Sequence, residues 1–325
     1  MKEVALKMLE RAKALLESGE VARVIGWKKG DFCYDPVPAS FECVEELDSF
    51  TYDYFCGANL SKYLIQMSKK EGKTAVFLKP CDTYSFNQLV KEHRINRENV
   101  YVIAIECCGK LDIEKIKAAG ASFVTGVEVD GEEVKALSPY GETVLNKTDV
   151  LLSKCAVCQK THQVKDEEII LNERPERSVD RFADVEKLEA MTEDERFAFW
   201  REQLSKCIRC NACRNVCPAC SCVKCVFDNP ASGIAAKAND DQFEEQLFHI
   251  IRAFHVAGRC TDCGECSRVC PQNIPLHLLN RKFIKDIDNL YGEYQAGETA
   301  EGKTPLTSYK EEDTEPNDVF NGEAK

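Results

Sequence analysis

Two runs of cysteine share one spacing, Cys207-x2-Cys210-x2-Cys213-x3-Cys217-Pro218 and Cys260-x2-Cys263-x2-Cys266-x3-Cys270-Pro271. Thiolates at these intervals are the ligand pattern of a pair of 4Fe-4S clusters. The short gaps let three thiolates wrap one cubane within a few turns of backbone. The fourth, pushed on and turned by Pro, points to the other cluster. The spacing therefore predicts Cys207, Cys210, Cys213 and Cys270 around one cluster, and Cys260, Cys263, Cys266 and Cys217 around a second. Zinc also takes four thiolates, but so compressed a run, present twice, argues for iron and sulfur. Gly258 and Gly264 would let backbone N–H groups approach the sulfurs. Three more thiols, Cys220, Cys222 and Cys225, extend the first run. They could hold a further metal, share a cluster with a partner chain, act as a redox site, or pack as small reduced side chains. Lys206, Arg209, Arg214 and Lys224 surround that run, where cations would offset cluster charge or dock an acidic partner.

The other cysteines of the 325-residue chain are sparser: Cys33, Cys43, Cys56, Cys81, Cys107 and Cys108 are scattered, and Cys155 and Cys158 form a pair. This split suggests two modules. The first residues are charged and amphipathic without an apolar signal core, and no apolar run reaches the ~18 residues that would span a membrane. A secreted disulfide scaffold is therefore not expected. In a reducing cytoplasm, clustered Cys bind metal or do redox chemistry. The net charge of −12 argues against nucleic acid as a partner, because phosphate binding needs a basic face. No GxGxxG, phosphate loop or hydrolase triad is present.

The elements that must position these thiols read as α/β in the first module. Helical periodicity covers residues 3–17, and a short strand is expected over 21–27. A helix is expected over 60–70. Two apolar runs, 74–78 and 100–105, read as strands buried on both faces. Between them Pro80 breaks the chain and Asp82 can cap a helix reaching His93, with Glu92 and His93 on a solvated face. A helix over 112–119 and a strand over 123–129, turned by Asp130-Gly131, complete an alternation that supports a largely parallel sheet covered by helices. Around the cysteine runs, helices are expected over 194–204, 242–256 and 276–291. The domains expected are 1–180 α/β, 181–205 helical linker, 206–292 α-helical dicluster ferredoxin and 293–325 acidic tail. That last stretch carries nine acidic and three basic residues and is expected to lack fixed structure.

The segment FLKPCDTYSFNQLV (Phe77–Val90) followed by VYVIAIECCG (Val100–Gly109) resembles the flavoprotein beta subunits of coenzyme F-420-reducing hydrogenase and formate dehydrogenase. Lys154-Cys155-Ala-Val-Cys158 matches a later Cys-x-x-Cys of that family, while Leu78 stands where its turn carries Gly. The helix-rich spacing of the two cysteine runs resembles the α-helical ferredoxin domain of succinate dehydrogenase and heterodisulfide reductase. The first resemblance, over roughly residues 20–175, implies one FAD and a further 4Fe-4S cluster at Cys81, Cys107 or Cys108, Cys155 and Cys158. It places Lys79, Thr83 and Tyr84 near a flavin-facing turn, although Lys79 is more simply a solvated strand-end lysine.

Together these parts describe an iron–sulfur flavoprotein subunit of an oxidoreductase complex. It would exchange electrons between a catalytic partner (formate dehydrogenase, hydrogenase or heterodisulfide-reductase-like) and a soluble carrier such as a deazaflavin, NAD(P) or ferredoxin. The alternative is a flavin-free wiring subunit whose α/β module only docks.

Overall fold

The computed structural model describes residues 1–159, 163–164, 166–172, 179–229 and 242–308. These form two compact units, Met1–Phe86 with Ile95–Val179, and Asn87–Arg94 with Asp180–Lys325.

In the first unit, helix α1 (Lys2–Glu17) buries Val4, Met8, Ala12 and Leu15 at helical spacing. Strands β1 (Arg23–Lys28), β2 (Val37–Phe41), β3 (Thr74–Leu78), β4 (Val100–Ile105) and β8 (Glu168–Ile170) make one sheet in the order β2-β1-β3-β4-β8. All pairs in it are parallel except β1 with β2. Every residue of β3 is buried, as a strand covered on both faces requires. The 60–70 segment is a 3-10 turn (Leu60–Tyr63) and one short helix, α2 (Leu64–Met67), rather than one long helix. Asn59 fixes its start by accepting the Ser61 N–H. Helix α3 (Pro80–Lys91) follows β3 directly, and α4 (Ile113–Ala118) is capped by Asp112.

The strand expected over 123–129 is β5 (Gly126–Asp130), and it does not join the parallel sheet. It forms an antiparallel meander with β6 (Glu133–Ser138) and β7 (Gly141–Asn146). Turns at Gly131 and Gly141, both at positive φ, return the chain at once, which leaves no room for a crossover helix. Beyond it lies α5 (Ser153–Ala156).

The second unit is helical: α6 (Ala183–Glu189), α7 (Glu193–Ser205), α8 (Ala212–Val216), α9 (Gln242–Val256), α10 (Glu265–Arg268) and α11 (Leu276–Tyr291). The 181–205 stretch is part of this unit rather than a free linker. Val185 and Leu188 pack with Leu278, and Leu204 packs with Phe248 and Leu276. Thr192 and Glu195 cap α7 reciprocally, each side chain accepting the other's backbone N–H. Thr192→Ala is expected to cost about 1 kcal/mol, read as a lower thermal midpoint. The start of the acidic segment is also ordered, to residue 308. The Tyr294 N–H donates to Asp288, Ala296 is buried, and the Leu306 side chain lies beside Gly258. Residues 309–325 lie outside the described part. No helix of the described residues is long and apolar enough to cross a membrane.

Candidate metal centres

The two cysteine runs fold alike. In each, the residue before the second Cys and the residue after it are left-handed: Arg209 (φ 53°) and Asn211 (φ 61°), then Asp262 (φ 57°) and Gly264 (φ 65°). Asn211 and Gly264 start the short helices α8 and α10, which carry the third Cys of each run, Cys213 and Cys266. Alternating handedness turns successive N–H groups inward into a concavity that suits an anion. The Arg209 N–H, for example, lies 3.4 Å from Cys207 Sγ.

A non-glycine residue held left-handed stores about 1–3 kcal/mol of strain, so it needs an anchor. Each run anchors it by opposite charge. Arg209 faces Glu245 at 3.7 Å and lies over the Phe248 ring at 4.1 Å. Asp262 accepts from Arg281 at 3.0 Å and Arg181 at 2.8 Å. Burial alone would raise the Asp262 carboxyl, but Arg281 and Arg181 hold it below the usual aspartate range.

The thiols of the two runs act on one another. Burial pushes the Cys213 thiol up, Arg252 opposes it, and Cys270, Cys210 and Cys217 add to the rise. Burial takes Cys266 up to about 12 against Arg252, with Cys217 and Cys213 adding to it. Cys260 is pushed up by burial, then by Asp262, Cys217 and Cys266. Cys270 packs against the cluster that holds Cys213 and Cys266, and Cys217, which acts on Cys213 of its own run, packs with Cys260 of the other. Cys217 itself is drawn down to about 6, chiefly by the Cys220 side chain. Buried thiols gathered around a buried cation fit an anionic metal cluster, whose binding would displace their protons.

The face that α9 turns to these thiols was not legible in the cysteine motifs. Glu245, His249, Arg252 and Val256 fall on one helical stripe, and the first three are buried polar groups. The ligand atoms of Cys207, Glu245 and His249 lie within 4.8 Å of one another. Neither ring nitrogen of His249 has a hydrogen-bond partner among the described residues. Burial, helped by Arg252 and Arg209, pushes its pKa down to about 3. Polar residues spaced along the inner stripe of a helix are the signal that could have found them. The cations expected around the first run play smaller parts: Arg209 and Arg214 are matched by Glu245 and Asp228, and Lys206 sits on Gln203 and Glu202.

In the extension, Cys220 donates its N–H to Cys217 O at 3.1 Å, Cys222 is exposed, and the Cys225 thiol supports the Arg214 charge. Between Cys220 and Cys222, Ser221 is clamped. Arg94 donates to its carbonyl, and its hydroxyl lies 3.2 Å from Glu92, which also pairs with Arg259 at 2.6 Å. Glu92 is thus a structural anion in a half-buried network, correcting the solvated face expected of it. His93 is exposed.

In the first unit, Cys81 opens α3, Cys107 follows β4, and Cys155 and Cys158 sit in and just after α5. Cys158 acts on both Cys81 and Cys155, and Cys107 acts on Cys155. Burial raises Cys81, as does Asp82, against Lys154 and Lys79, with Cys158 adding to the rise. Burial takes Cys155 to about 12 against Lys154, with Cys107 and Cys158 adding to it. Cys108 lies instead 3.9 Å from the Asn172 amide. Cys56 is held by the Asp53 N–H in its own loop, and Cys33 and Cys43 are exposed.

Three buried ammonium groups surround this set. Lys110, Lys154 and Lys79 donate to the carbonyls of Asp53 (2.6 Å), Gly57 (2.8 Å) and Ala58 (2.7 Å) along one loop. Lys79 lies over the Trp27 ring and Lys110 over Tyr52, at 4.5 and 3.8 Å. Lys79 is therefore not the solvated strand-end lysine expected, being 1% exposed and paired with Asp82 at 2.7 Å. Thr83 donates to Pro80 O and accepts the Val164 N–H, and Tyr84 is buried. With Lys79 and Thr83 engaged within the protein and Tyr84 buried in it, this trio does not fit as a set of flavin contacts.

The sequence model of the 4Fe-4S dicluster domain family matches residues 203–274. The F420-dependent formate dehydrogenase subunit beta of Methanocaldococcus jannaschii is 24% identical, over 86% of this chain and 88% of that protein. The F420-dependent formate dehydrogenase 1 subunit beta of Methanococcus maripaludis is 27% identical, over 66% of this chain and 72% of that one. A chain of the F420-reducing NiFe hydrogenase complex of Methanosarcina barkeri superposes with a TM-score of 0.38 at 15% identity, covering 48% of this chain and 62% of that one. Over most of its length the chain is thus similar to beta subunits of F420-dependent formate dehydrogenase, and residues 203–274 match the 4Fe-4S dicluster domain family.

Proposed function

We propose that the chain is an electron-transfer subunit of a formate dehydrogenase- or hydrogenase-type complex in the cytoplasm and holds three 4Fe-4S clusters. Cys207, Cys210, Cys213 and Cys270 hold one. Cys260, Cys263, Cys266 and Cys217 hold the second, and Cys81, Cys107, Cys155 and Cys158 the third. The observation that carries this reading is the packing of thiols across the two runs in the second unit, Cys217 with Cys260, and Cys270 against the cluster of Cys213 and Cys266. Such clusters supply one-electron transfer. The residues gather thiolates in water-poor sites, aim N–H groups at them and compensate their charge with Arg252, Lys110 and Lys154.

The family resemblance implies FAD and a soluble carrier that would meet it. With Lys79, Thr83 and Tyr84 not fitting that role, a flavin would have to be held by other residues. The test is anaerobic purification with iron, sulfide, zinc and FAD measured per chain. About twelve irons are expected, four for each cluster. About eight would remove the third cluster, and zinc without iron would overturn the whole reading. One FAD per chain makes the subunit a converter between two-electron and one-electron chemistry; none makes it a wire.

A further inference from the structure

The most demanding group in the second unit is Arg252. It is 2% exposed, and Nε, Nη1 and Nη2 all lack a hydrogen-bond partner among the described residues. A buried charge with no partner costs several kcal/mol, and every such group calls for an explanation. Its place on α9 supplies one. One turn before it, Phe248 packs in the cluster of side chains that holds Cys213 and Cys266; one turn after it, Val256 packs against Cys217. Arg252 thus stands on the same helix face, flanked by side chains that pack with thiols of both sets. The groups that raise its pKa are Cys266, Cys213, Cys217 and Cys220, thiols of both runs, and they prevail over burial.

We infer that Arg252 is the common counter-cation and hydrogen-bond donor of the two ferredoxin-type centres, a positioning residue that sets both reduction potentials together. The inference rests on the ligand sets proposed above. An unpartnered guanidinium offers five N–H donors in a fixed fork, which can serve acceptors on more than one side. A cation between two anionic centres favours the reduced, more negative form of each.

The test is an EPR-monitored redox titration of the full chain, purified anaerobically, as wild type, Arg252→Lys and Arg252→Gln. Wild-type iron content tests the ligand sets by itself, so failure there is distinguishable from failure of the Arg252 role. At a fixed applied potential, Arg252→Gln is expected to lower the reduced-to-oxidised ratio of both centres by about tenfold or more, the scale of one nearby charge in a partly buried site. Arg252→Lys keeps the charge but loses the fork, so both ratios should fall by less. If one centre moves alone, or neither moves in a fully loaded Arg252→Gln chain, the shared role is wrong. If Arg252→Gln does not load, Arg252→Lys decides: both centres shifted in the same direction supports the role, and anything else overturns it.

Discussion

Replacing Asp262 with Ala is expected to remove about 3–5 kcal/mol of stability, the usual cost of deleting one partner of a buried ion pair. The carboxylate is the meeting point of Arg281 and Arg181, and Arg281 is only 1% exposed. Deleting it leaves two cations facing each other in a low-dielectric site. It also removes the anchor of a left-handed residue inside the second cysteine run. Two readouts should therefore move together: the denaturation midpoint should fall, and iron should fall by about four per chain as the second cluster is lost. Asp262→Asn separates the causes. Asn adopts left-handed backbone readily but leaves both arginines uncompensated, so it should keep more iron than Ala at a similar loss of stability. An Ala variant within ~0.5 kcal/mol of wild type, the range of a surface change, would show that the arginines have other partners.

What could be read in the sequence was whatever is local. Strands β3 and β4 declare themselves because burial on both faces demands continuous apolar runs, TAVFL and VYVIAI. The two cysteine runs declare themselves because the first three thiols of each fall within one loop, at a spacing that needs no knowledge of the fold. Strand β8 did not, because three residues carry no period and it exists only by pairing with β4. Strand β2, with Pro38 second in its five residues, looks like a loop and among the described residues is an edge strand paired only with β1. The strand at 126–130 was visible, but its sheet was not. The alternation of elements suggested a parallel sheet, and only the tight returns at Gly131 and Gly141 close it into a meander.

The candidate site divides along the same line. Every thiol in it could be named from spacing or resemblance, while the charges that surround the thiols could not. Lys79, Lys110, Lys154 and Arg252 look in sequence like four more solvated cations of an ordinary surface, and in the fold all four are buried. Burial is a property of the packed chain, so a cation's role shows only when its neighbours are known. Of the cations that spacing did suggest, Lys206, Arg209, Arg214 and Lys224, the first three are matched by Glu202, Glu245 and Asp228. Proximity in sequence to a ligand run is thus a poor guide to which charge is left over for a cluster.

Adjacent thiols give the sharpest expected contrast. Cys107→Ser should cost the chain about four irons, taking it from about twelve to about eight, whereas Cys108→Ser should leave the count unchanged. The two residues are neighbours at the end of β4, but they serve different surroundings. Cys107 adds to the rise of Cys155, which lies by Cys158. Cys108 is buried, with the Asn172 amide at 3.9 Å. A serine at 108 can accept the same amide donation, so the fold should survive it. A serine at 107 is a poor ligand for iron, and three thiolates would remain at Cys81, Cys155 and Cys158. Lys110 and Lys154 would then be buried cations beside an empty anionic position, so Cys107→Ser should also lower the denaturation midpoint, which Cys108→Ser should not. Iron analysis and denaturation of both variants, purified anaerobically in parallel, read the contrast directly. Equal iron loss in the two would mean that the ligand set at the end of β4 is not the one that Cys155 and Cys158 select.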